Sequence, residues 1–198
     1  TDEYVAWDVS EVLAMNRMLM NASVFNNGEA EGESSAPLNW NVSKVYAMQG
    51  LFDDAQAFNQ DISTKVISSD DSPTGEEYTA WDVSNVNTMQ EMFKDALSFD
   101  QDIRSWDVSL VTDMRNMFSA TDDDTNPFNQ DISNWTVSSD AKLDNMFENS
   151  SIVENNTYGF DVPNPTYDQF NQKTVSWSGM SFTYYINEND TKVTDLSA

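Results

Sequence analysis

Apolar residues recur along this chain in two alternating rhythms. In one block the spacing is three and four. Val86, Met89, Met92, Phe93 and Ala96 fall on one stripe of a helix, as do Val45, Met48, Leu51, Phe52, Ala55 and Val111, Met114, Met117, Phe118. Ser84 and Ser109 stand just ahead of two of these stripes, where a hydroxyl can cap free backbone N–H groups. In the preceding block Ile103, Trp106 and Val108 end on a pair two apart, the period of a strand. Ile132, Trp135 and Val137 repeat that block, with Tyr4, Trp7, Val9 and Tyr78, Trp81, Val83 as variants. The pattern predicts a short strand and then a short helix, again and again.

The recurrence has a register. Units begin at Trp7, Trp40, Trp81, Trp106 and Trp135, with a degenerate sixth at Trp177, and the bare unit runs from Trp81 to Trp106, 25 residues. Longer intervals carry loop insertions. A unit this short cannot bury its apolar face alone and must stack on its neighbours. One strand and one helix per turn, joined in the same sense each time, would give parallel strands with helices outside. The expected fold is therefore an α/β, right-handed solenoid, leucine-rich-repeat-like. Residues 1–147 would form five turns with loop insertions, and residues 148–198 a degenerate sixth repeat or a C-terminal cap.

Whole phrases recur as well as spacings. "FDQDIRSWDVS" and "FNQDISNWTVS", the former followed by V-x-x-M-x-x-M-F, resemble the BspA-like bacterial surface-protein repeat, a leucine-rich-repeat-like tandem repeat of surface adhesins and lipoproteins. The resemblance covers roughly residues 4 to 147 and fades beyond them. It implies an extracellular or cell-surface recognition and adhesion module that binds protein or glycan through its sheet face and insertion loops.

Charge narrows the partners. With 34 acidic and 9 basic residues the net charge is −25, which excludes a nucleic-acid backbone or an anionic membrane surface as main partner. No stretch approaches the ~20 apolar residues of a membrane span. Residue 1 falls just before a unit begins, so the chain reads as a fragment of a longer, processed protein, expected to be a monomer by itself. Aromatics at 12% supply a core despite the acidity. Cysteine is absent, which removes disulfides and thiolate zinc sites from consideration.

Three sets of polar residues remain. Gln60-Asp61, Gln101-Asp102 and Gln130-Asp131 return at one place in each unit and are expected to bond the backbone of their own turn or of the next unit. Asp8, Asn41, Asp82, Asp107 and Thr136 sit between Trp and Val of each unit. They would form an exposed ladder, either a ligand face or local caps of the following turn. Asp122, Asp123 and Asp124 cluster ahead of Asn126 and are candidate Ca²⁺ ligands, although the fixed glycine and distal glutamate of an EF-hand are missing. The insertions 26–37 and 68–78 read as mobile surface loops. No cofactor motif appears. With neither His nor Cys the chain is not expected to be an enzyme. A non-binding structural spacer of a long surface protein is the alternative reading, and a carboxylate-based glycoside hydrolase the remote one.

Overall fold

The computed structural model describes residues 7–121, 124–152, 172–177 and 180–185. The units stack as their register requires. Ala14, Ala47, Thr88, Asp113 and Lys142 are joined in sequence by parallel bridges, one at each unit boundary, and Asn126 adds a further one to Ser150. Trp7, Trp40, Trp81, Trp106 and Trp135 form a column with ring centroids 6.0, 6.0, 5.8 and 6.5 Å apart. A second column runs Phe25, Phe58, Phe99, Phe128 at 5.9, 5.9 and 6.0 Å. A third runs Phe52, Phe93, Phe118, Phe147 at 5.5, 5.6 and 5.8 Å. The two phenylalanine columns lie against each other, with Phe52–Phe58 at 4.0 Å and Phe93–Phe99 at 4.1 Å. Methionines and valines of the predicted stripes complete the core.

The units are not built as expected. Among the described residues there is no helix. The strands are two antiparallel pairs: β1 (Lys65–Ile67) with β2 (Tyr78–Ala80), and β3 (Gln172–Trp177) with β4 (Met180–Tyr185). The α/β, leucine-rich-repeat-like solenoid with one parallel strand and one helix per turn is thus overturned. No strand forms at Ile103–Val108; instead Trp106 N–H donates to Ile103 O at 3.1 Å and Val111 N–H to Val108 O at 2.9 Å, two successive turns.

The physical reason lies in where the stripe's N–H groups go. A helix sends each of them four residues back. Here alternate ones leave the unit: Met89, Glu91, Phe93 and Asp95 donate to Asp113, Arg115, Met117 and Ser119 O of the next unit, all at 2.8–2.9 Å. The intervening ones close tight turns, as Met92 to Met89 O and Lys94 to Glu91 O. Left-handed residues make this zigzag by turning the chain out of helical geometry. Arg17, Gly50, Glu91, Asn116 and Asn145 share one position, with φ of 58, 58, 59, 55 and 56°. Four residues on, Asn21, Asp54, Asp95 and Asn149 do the same, with φ of 59, 57, 55 and 55°. Only glycine enters this region without strain, and asparagine and aspartate tolerate it.

Arg17 and Glu91 are the exceptions in chemistry, since neither side chain favours the left-handed region. We expect Glu91→Asn to stabilise the fold by about 0.5–1 kcal/mol. Gly50→Ala should destabilise it, because the new Cβ would sit 3.2 Å from Arg17 Cγ at an unfavourable φ. Urea titration of both variants checks the pair; a loss on Glu91→Asn would show that the backbone angle is not what strains this position.

Asp53 carries a second strain. It is buried, and burial pushes its carboxyl up to about 6, with Lys94 pulling the other way. The folded value exceeds the unfolded one near 4, so this group's contribution is full below the unfolded value and is lost as pH rises through about 6. Asp53→Asn should therefore gain on the order of 2 kcal/mol at pH 7.5 and nothing near pH 3.5. A denaturation midpoint whose gain does not change with pH would remove Asp53 as the cause.

No helix among the described residues is long and apolar enough to cross a membrane.

Candidate functional site

The repeated polar residues are occupied by the stack itself. Asp61, Asp102 and Asp131 Oδ1 accept the N–H groups of Ser63, Arg104 and Ser133, at 2.9, 3.0 and 3.0 Å. The glutamines reach the previous unit: Gln101 Nε2 donates to Asn59 Oδ1 at 2.9 Å and Gln130 Nε2 to Asp100 O at 3.0 Å. Beside them runs a ladder of short side chains. Asn59 N–H donates to Asn26 Oδ1, Asp100 N–H to Asn59 Oδ1 and Asn129 N–H to Asp100 Oδ1, at 2.9, 3.0 and 2.8 Å.

The Trp–Val rung has no sheet to line. Asp8, Asn41, Asp82 and Asp107 each accept at Oδ1 from the serine two residues on, with N–H distances of 3.0, 3.3, 3.2 and 3.0 Å. Ser43 and Ser84 add their hydroxyls, at 2.7 and 2.6 Å. Ser84 therefore donates to the turn rather than capping a helix. Hydrogen bonds from Ser10 and Ser109 hold the Asp8 and Asp107 carboxyls below the ordinary value. Thr136 is exposed. Asp122 and Asp123 lie outside the described residues, while Asp124 is exposed. Among the described residues no three carboxylates group as a metal site would require.

The two insertions differ from each other. Residues 26–37 are pinned at the base. Asn26 is buried and donates to Ala30 O, and to Glu33 O at 2.9 Å. Asn27 Nδ2 reaches Ala36 O at 2.9 Å. Residues 68–77 connect β1 to β2 and remain exposed apart from Ser72.

That second insertion makes a cleft against the first two units. It has two lobes of about 250 and 210 Å³, which share Trp7, Asn39, Pro73 and Tyr78. The antiparallel pair positions Tyr78, whose hydroxyl donates to Asn39 O at 2.6 Å. Burial, with the Asp8 charge, pushes the Tyr78 phenol up, so it stays a neutral donor. Trp7 is 57% exposed because it stacks on Trp40 on one side only. Asp8, Glu11, Glu76 and Glu77 add carboxylates to the larger lobe. Its lysine, Lys44, is paired with Glu11 at 2.5 Å. The cleft thus offers an aromatic face beside a net-negative wall, suited to a ligand with donor groups and an apolar or cationic side. Sequence reasoning singled out Asp8 and the 68–78 insertion but not Trp7 or Tyr78. Both look like core positions in the repeat; among the described residues Trp7 stacks only on Trp40, and the antiparallel pair sets Tyr78 beside it.

No curated protein and no solved structure matches the chain. A family model does, twice in succession, over residues 2–73 and 65–178, spanning all the stacked units and the cleft. The chain belongs to the repeat family described as Mycoplasma protein of unknown function, DUF285.

Proposed function

We propose that the chain is a recognition module of an extracellular or cell-surface protein, binding protein or glycan at the Trp7–Tyr78 cleft and its insertion loop. The cleft carries this reading. It is concave, partly aromatic and bordered by 68–77, an exposed loop that lies outside the bonds joining the units. The resemblance of "FDQDIRSWDVS" and "FNQDISNWTVS" to BspA-like surface repeats supports an adhesive setting. The reading is not catalytic. Buried Asp95 is engaged by Lys94 Nζ at 2.9 Å and by Thr121 N–H at 2.7 Å, and neither Asp53 nor Asp95 lines the cleft.

A structural spacer is the second reading. The consumption of the repeated Gln, Asp and Asn side chains inside the stack favours it, because such residues set length rather than bind ligands. Immobilised glycans and purified extracellular-matrix proteins separate the two. We expect saturable binding by the wild-type chain, reduced at least tenfold by Trp7→Ala, and reduced as much by the double change Glu76→Gln, Glu77→Gln, the latter with unchanged melting. Binding indifferent to all of these places the site elsewhere. Binding to none of the panel leaves the spacer.

A further inference from the structure

The insertion 26–37 carries chemistry that the stack does not use. Asn27 and Gly28 form the one Asn-Gly pair of the chain. Both stand in the left-handed region, with φ of 51 and 90°. The backbone nitrogen that follows an asparagine can attack that asparagine's own side-chain carbonyl carbon and close a cyclic imide. A Cβ on the following residue crowds the attack, and glycine has none. Nothing lies within 4 Å of where a Cβ on Gly28 would stand. Among the described residues no carbonyl takes the Gly28 N–H, so the attacking nitrogen gives up no bond. Asn21, Asn116, Asn145 and Asn149 share the left-handed backbone, but alanine, methionine, methionine and serine follow them.

What the Asn27 side chain holds gives the pair a consequence. Its Nδ2 donates to Ala36 O at 2.9 Å and so ties the start of the insertion to its end. Gln60 ties the same segment to the second unit, donating to Glu33 O and accepting from Ala36 N–H. A carboxylate at position 27 accepts hydrogen bonds but donates none. Set against the Ala36 carbonyl it would repel where the amide attracts, and the tie could not re-form. Glu29, Glu31 and Glu33 lie in the same insertion, so the new charge also meets three like it. Asn27 lines the smaller lobe of the cleft together with Asp71, and a carboxylate there makes that lobe more acidic.

We propose that Asn27-Gly28 is a self-modification site, at which water replaces the side-chain amide and the insertion is released from its internal tie. The step balances with water as the only co-reactant. The Gly28 nitrogen loses its proton to solvent and bonds to Asn27 Cγ. The Cγ–Nδ2 bond breaks, and ammonia leaves after taking a proton back from solvent. Water then opens the cyclic imide at either carbonyl. The Gly28 N–H is restored, and position 27 is left as aspartate or as isoaspartate, with the backbone rerouted through the side chain. Conversion is one-way, because the ammonia is lost. The inference concerns bonds inside the insertion and does not rest on the cleft being a binding site.

The test ages the whole chain in mildly alkaline buffer made with isotopically heavy water and follows it by peptide mapping. Position 27 should take up heavy oxygen and form isoaspartate at least tenfold faster than any other asparagine, with matching release of ammonia. Asn27→Gln, whose longer side chain closes its ring far more slowly, should abolish that release. The consequence is read on the aged chain and on Asn27→Asp made directly. A glutamate-specific protease under native conditions should cut after Glu29, Glu31 and Glu33 severalfold faster in both than in the fresh chain, with cleavage after Glu76 and Glu77 unchanged. Conversion at position 27 no faster than at other asparagines overturns the site. Unchanged cleavage of the insertion in both samples overturns the release, and so does equal acceleration at the two loops, since the effect is then on the whole fold.

Discussion

Replacing Trp106 by alanine should cost about 3–5 kcal/mol, the range for truncating a large buried aromatic. The ring is 3% exposed and lies between Trp81 and Trp135 at 5.8 and 6.5 Å, tilted against Phe93 at 6.2 Å. Truncation opens a cavity in the middle of the column, where neighbours held by the bridge ladder cannot collapse to fill it. It also strands Ile62 O, which accepts the indole N–H at 2.9 Å. Trp106→Phe separates the two losses, because it keeps an aromatic ring in the column but removes the donor; about 1–2 kcal/mol is expected. Trp7→Ala, at the half-exposed end, should cost less than either. Equilibrium urea unfolding with linear extrapolation gives all three. A Trp106→Ala loss no larger than that of Trp7→Ala would mean the column contributes little beyond its ends.

That column was legible in the sequence because equivalent positions of stacked units must occupy equivalent places, whatever the local backbone. Val86, Met89, Met92, Phe93 and Ala96 are all buried, as their stripe predicted. The helix was not legible as false from the same residues. Spacings of three and four bury one side of a helix, but equally one side of a chain of tight turns. The discriminating signal lay on the polar side. Gly50, Asn116 and Asn145 share one position, and Asn21, Asp54, Asp95 and Asn149 another four residues on, all in the left-handed region. Asn, Asp and Gly at two fixed positions of a predicted helix argue against it. Arg17 and Glu91 blurred that signal, since both are good helix formers.

The candidate site was less legible still. Asp8 stood out as one rung of a ladder, yet what gives its surroundings a shape is the loop 68–77 folding back from another unit. Tyr78 read as a repeat variant of Ile103, while in the structure its hydroxyl braces Asn39. The insertion 26–37 hid a copy of the recurring phrase. Phe25-Asn26 is the first Phe-Asn of the series, and its asparagine is buried like a core residue. The loop between them and the next unit separated the phrase from its usual Gln-Asp, so spacing by itself did not reveal it.

Gln60 shows what that hidden copy does, and its loss should be the largest among the polar positions. It is fully buried. Its Nε2 donates to Asn26 Oδ1 at 2.9 Å and to Glu33 O at 2.7 Å, while its Oε1 accepts Ala36 N–H at 2.8 Å. One side chain thus clasps both ends of the 26–37 insertion to the second unit. Gln60→Leu keeps most of the volume but leaves the Ala36 N–H without its acceptor and takes donors from Asn26 and Glu33; about 2–4 kcal/mol is expected. Gln101→Leu is the comparison, because Gln101 is only half-buried and makes a single such bond, to Asn59 Oδ1; about 1 kcal/mol is expected there. A protease that cuts after glutamate localises the effect. Glu29, Glu31 and Glu33 lie in the clasped insertion, and Glu76 and Glu77 in the exposed loop of the cleft. Under native conditions Gln60→Leu should speed cleavage at the first three and leave the last two unchanged, since local opening exposes only the segment that has lost its anchor. Equal acceleration at both loops would mean global unfolding, and no acceleration at Glu29 to Glu33 would show that the insertion does not depend on Gln60.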